Sequence, residues 1–109
     1  MTRPWTELNA VDTDEGRLCL LKRGEDDYLI TVDGRVLMNS KANRTELALA
    51  EMACHALGDR KAPKVLIGGL GMGCTLRAAL DALPEDAAVR VDELTPVVLD
   101  WCRGPLAEL

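Results

Sequence analysis

Lys64-Val65-Leu66-Ile67 is a short apolar run that meets, without a spacer, the glycine-laden stretch Gly68-Gly69-Leu70-Gly71-Met72-Gly73. No other feature of the sequence restricts the fold as tightly. A continuous apolar run of this length is expected of a strand buried on both faces. The glycines then demand a sharp bend, and the segment from Thr75 to Leu83 has helical spacing and stops at Pro84. A second strand, Ala88 to Asp92, ends in Glu93. Pro96 opens a further helix through Val97, Val98, Leu99, Trp101 and Cys102, and Gly104-Pro105 breaks it. Strand, turn, helix, strand, helix is a βαβα unit, whose crossover is expected to be right-handed.

Upstream, the period differs. Residues 1–16 are polar and acidic and read as loop or turn around Asp12, Asp14, Glu15 and Gly16. Arg17–Arg23, Tyr28–Val32 and Arg35–Asn39 read as a meander of about three strands, with Asp33-Gly34 as a strong hairpin signal. Asn43 and Glu46 resemble a capping box ahead of a helix from about Arg44 to Leu57, which Gly58 terminates. The expected fold class is therefore α/β. An N-terminal antiparallel β segment (1–42) precedes the first βαβα unit of a Rossmann-like parallel sheet (43–109), the two packing as one unit.

Composition narrows the partners. Net charge is −5, so a nucleic-acid partner, which needs a basic face, is not expected. With no Phe, one Tyr and two Trp, a base-stacking surface is not expected either. The four cysteines, Cys19, Cys54, Cys74 and Cys102, stand singly with no C-x-x-C pair, which speaks against a zinc or other metal site. No signal-like start or membrane-length apolar run is evident, so a cytoplasmic protein with reduced thiols and no membrane partner is expected.

The functional signal is the bend together with the acid beyond it. Gly69, Gly71 and Gly73 lie between a strand and a helix whose N-terminus offers free N–H groups. A missing Cβ lets a ligand lie against such a backbone. Glu93, about twenty residues past Gly73, ends the second strand, where a carboxylate can accept both hydroxyls of a ribose. A dinucleotide fingerprint would place its third glycine at position 74, which is Cys74, so the spacing favours an adenosyl nucleoside. Asp92 competes with Glu93, but alternation along the strand lets only one of them face the ligand. Cys74, Trp101 and the single histidine, His55, read as packing or surface residues, since none has an evident catalytic partner.

Val65 through Arg77, with its Gly-Leu-Gly-Met-Gly-Cys-Thr-Leu-Arg, resembles the glycine motif of spermidine synthases and their relatives. Arg44-Thr45-Glu46-Leu47 through Glu51-Met52 resembles their preceding helix, and Val91-Asp92-Glu93-Leu94-Thr95-Pro96 their second strand with its ribose-binding acid. The resemblance runs from about Tyr28 to Leu109. It implies an aminopropyltransferase-like domain of polyamine biosynthesis, within the S-adenosylmethionine-dependent transferase superfamily. The co-substrate would be S-adenosylmethionine, its decarboxylated form, or methylthioadenosine, held by Gly69, Gly71, Gly73 and Glu93.

The departures are equally specific. The family's acid within the glycine motif falls on Met72, its Tyr-His pair on Leu49-Ala50, the acid near the helix start on Thr45, and its glutamine near Ser40. Each change removes a group that a polyammonium substrate would want. The family's catalytic aspartate lies in a part of the domain with no counterpart here, so no catalytic residue is assigned. The chain is expected to be an inactive, truncated product that covers its bare sheet edge by forming a homo-oligomer, a dimer in the simplest case. A methyltransferase fragment on the same fold, or a non-catalytic oligomerising module, are the alternatives.

Overall fold

A computed structural model describes residues 3–107 and residue 109 of the chain. Contacts divide it into two units, the first running to Ala42 and the second comprising Asn43–Ala107.

The first unit is a four-stranded antiparallel meander in the order β1 (Thr6–Thr13), β2 (Gly16–Arg23), β3 (Asp27–Val32), β4 (Arg35–Asn39). Strand β1 corrects the loop expected through residue 16; the first two residues of that expectation lie outside the described residues. Its side chains are exposed or half-buried throughout, so no apolar alternation marks it. What forms it is the backbone ladder to β2, from Thr6↔Lys22 to Thr13↔Gly16, with an irregularity between Glu7 and Asn9. Burial concentrates on β2 and β3. Leu18 and Leu20 sit opposite Val32 and Ile30, and Tyr28, Leu29, Ile30 and Thr31 are all buried. Asp33 and Gly34 both take positive φ (48° and 80°), the backbone of a two-residue hairpin turn, as their sequence demands. The Asp33 carboxylate accepts the Arg17 N–H at 2.7 Å and ties the turn back to β2.

The second unit begins with α1 (Arg44–Leu57), at the boundaries expected. The capping box is not formed. Asn43 has φ −119° and ψ 15°, outside the extended conformation of a capping residue, and its side chain makes no cap bond. The Glu46 carboxylate accepts the neighbouring Thr45 hydroxyl at 3.1 Å. Strand β5 (Lys64–Gly68), helix α2 (Cys74–Ala82), strand β6 (Ala88–Asp92) and helix α3 (Pro96–Arg103) follow. β5 and β6 pair in parallel from Lys64↔Ala88 to Gly68↔Asp92, which makes this the partial Rossmann-like half of an α/β fold.

Burial on the two faces of this sheet differs. Val65, Ile67, Val89 and Val91 belong to the core that contains Ala50 of α1 and Ala79 of α2. Small residues at 50 and 79 suit a close approach of the two helices, and burial of Ile67 contributes about 1.5–3 kcal/mol. Lys64, Leu66, Gly68, Ala88, Arg90 and Asp92 alternate with these and are exposed. Leu66 is 65% exposed, so the expectation of a strand buried on both faces is corrected to burial on one. The apolar run misled because period-2 alternation cannot show when an outward position also carries leucine. Among the described residues, no helix is long and apolar enough to cross a membrane.

Candidate functional site

Past its last ladder pair, β5 is held to β6 by one more bond, from Gly69 N–H to the Asp92 carbonyl at 2.7 Å. The chain then bends away from the sheet. Gly69 and Gly73 adopt φ 88° and 82°, where an L side chain is strained, so glycine is required at both. A Cβ built on Gly69 meets nothing within 4 Å, so the space it would fill is open. Gly73 N–H bonds the Leu70 carbonyl at 2.8 Å and closes the turn, and the Gly73 carbonyl accepts Arg77 N–H at 2.8 Å as the first bond into α2. That helix starts without a side-chain cap bond and without an acid in its own first turn. On its far side Thr75 Oγ1 donates to the Glu46 carbonyl at 3.4 Å and fastens the start of α2 to α1.

Glu93 lies one residue past β6, and its carboxylate turns into this bend. Oε1 accepts Leu70 N–H at 2.8 Å and Gly71 N–H at 3.4 Å, while Oε2 accepts Thr95 N–H at 2.9 Å. Burial pushes the Glu93 carboxyl up, but backbone N–H groups at Thr95, Leu70, Gly71 and Leu94 outweigh it and hold the group below the ordinary glutamate range. The group is half-buried and ionised at neutral pH. Three backbone N–H groups, those of Leu70, Gly71 and Thr95, bond the carboxylate directly. Asp92 points to the other face, where it pairs with Arg90 at 2.8 Å. Of the two acids at the end of β6, then, it is Glu93 that meets the glycine bend.

Met72, within the bend, is buried at 6% exposure. The apolar Leu94, at 84% exposure, stands beside Glu93. Two contributors were not read from the sequence: the backbone N–H of Thr95, and Cys102, whose thiol donates to the Gly71 carbonyl at 3.3 Å across thirty-one (31) residues of chain. No residue-type signal marks either: the first is a backbone N–H two residues beyond Glu93, and the second depends on α3 lying against the bend.

With this geometry in view, solved structures give the comparison. The chain superposes on spermidine synthase from Thermotoga maritima with a TM-score of 0.74 at 22% identity, covering 94% of this chain. A second spermidine synthase, in complex with the transition-state analogue AdoDATO, gives 0.73 at 22% identity over 94% of this chain. The fold is spermidine-synthase-like. At this identity the likeness is one of architecture, and the chain spans only 34% of the length of those structures. No protein-family model and no curated protein matches the sequence.

Proposed function

We propose that this chain is a spermidine-synthase-like nucleoside-binding domain. Its ligand would be decarboxylated S-adenosylmethionine, S-adenosylmethionine or methylthioadenosine. The observation that carries the reading is the meeting of Glu93 with the glycine bend: a carboxylate held by Leu70 and Gly71 N–H groups beside backbone that carries no Cβ. The open space over Gly69 is compatible with a ribose lying against the backbone. In this role Glu93 accepts ribose hydroxyls, and Gly69, Gly71 and Gly73 supply the surface on which the nucleoside rests.

An adenosyl sulfonium, when bound, supplies a carbon already attached to a good leaving group. The protein's task in a transfer reaction is then to position an amine and take its proton. This chain's residues suit the first half of that task. Met72, Leu49, Ala50 and Thr45 offer no carboxylate for a polyammonium acceptor, so the chain binds the nucleoside without turning it over. Calorimetric titration with methylthioadenosine and S-adenosylmethionine tests this. Heat of binding that Glu93→Ala abolishes, with Glu93→Gln as the shape-preserving control, supports the proposal. A folded chain that yields no heat, or one that binds a nicotinamide dinucleotide instead, contradicts it.

A further inference from the structure

Cys74 and Cys102 flank the glycine bend from two helices. Cys102 Sγ lies 3.3 Å from the Gly71 carbonyl. The same sulfur is 4.0 Å from where a Cβ on Gly73 would sit, and Cys74 is the next residue, at the start of α2. Both are free, half-buried thiols. Gly71 and Gly73, the two bend residues nearest the Cys102 sulfur, keep positive φ and carry no Cβ. Burial raises both thiols, Glu46 raises Cys74 further, and the charges of Glu93 and Cys74 raise Cys102 further.

We propose that Cys74 and Cys102 are an oxidation site, a dithiol that a peroxide converts to a disulfide across the glycine bend, closing it to the nucleoside. The second part rests on the function proposed above; the first does not. In the first step the Cys74 thiolate, formed at the N-terminus of α2, attacks one peroxide oxygen. The O–O bond breaks, hydroxide leaves and is protonated to water, and a sulfenic acid remains. The Cys102 thiolate then attacks that sulfur; the S–O bond breaks, the S–S bond forms, and a second water leaves. Two thiols lose two electrons and the peroxide is reduced to two waters. The bond requires Cβ atoms about 3.8 Å apart, so forming it takes the Cys102 sulfur off the Gly71 carbonyl and ties α3 to the start of α2. Glu93, just ahead of α3, and the bend it holds are displaced together.

Trypsin cleaves after Lys64, Arg77, Arg90 and Arg103, so Val65–Arg77 carries Cys74 alone and Val91–Arg103 carries Cys102 alone. The whole chain is treated with hydrogen peroxide and mapped without reduction. The expected result is a linked pair of these two peptides and loss of half the free thiols. In Cys102→Ser the oxidation stops at a sulfenic acid on Cys74 that dimedone traps. Methylthioadenosine binding to the oxidised chain falls at least about tenfold and returns with dithiothreitol. A linkage through Cys19 or Cys54, or four thiols surviving, overturns the oxidation site. A mapped Cys74–Cys102 bond with unchanged nucleoside affinity overturns the closure alone. Absence of nucleoside binding in the reduced chain instead counts against the parent reading.

Discussion

Replacing Glu93 by glutamine keeps the side chain's shape and removes its charge, and the structure fixes what is lost. One oxygen serves two donors, Leu70 and Gly71 N–H, and the other serves Thr95 N–H. An amide has a single oxygen, so one side of this arrangement must face an NH₂ group, donor against donor. The retained bond also loses its charge assistance. Hydrogen bonds to a charged group are worth about 1.5–3 kcal/mol, and water reaches this half-buried site, so a loss of about 2 kcal/mol is expected. In a chain of this size that lowers Tm by roughly 8–16 °C at pH 7.

The pH dependence follows from the depressed carboxyl of Glu93. Its stabilisation is fully present above the unfolded-state value of about 4.3 and is lost as pH falls through the lower folded value. Thermal unfolding followed by circular dichroism from pH 7 down to pH 3 should therefore show the wild-type and Glu93→Gln curves converging as the pH drops. A gap of the same size at every pH, or none at pH 7, would refute the reasoning.

Gly69→Ala should cost about 1–2 kcal/mol, because φ 88° strains any L side chain although space is free, and it should block the nucleoside in calorimetry. Ser40→Ala removes the buried acceptor of Tyr28 N–H at 2.8 Å and should lower stability by about 1–3 kcal/mol in urea unfolding. Leu66→Lys, on the bare face of the β5–β6 sheet, should change stability by no more than about 0.5 kcal/mol, whereas Ile67→Ala on the covered face should cost about 2–5 kcal/mol. Equal costs for the two would contradict the one-sided burial.

The second unit was more legible in sequence than the first because its signals are chemical as well as periodic. Arg44–Leu57 and Ala88–Asp92 lie where apolar spacing, Gly58 and Pro96 put them. The bend was legible because only glycine accepts the φ values of Gly69 and Gly73. Strand β1 was not, since it owes its form to backbone pairing with β2 rather than to burial. Asn43 looked like a cap by residue type, but capping is a matter of backbone angle, which residue type does not determine. Glu93 could be picked out by its distance from the glycines. That its charge is held by the bend's own N–H groups could not, because those bonds depend on how Leu70 and Gly71 are turned in space.

The proposal of nucleoside binding is tested most directly by amide chemical shifts in an ¹⁵N-labelled sample titrated with methylthioadenosine. Saturable shifts confined to Gly69–Gly73 and to Glu93, Leu94 and Thr95, and missing in Glu93→Ala, are the predicted result. A spectrum that stays still at millimolar nucleoside, or shifts that cluster on the exposed sheet face around Leu66 and Arg90, would contradict it.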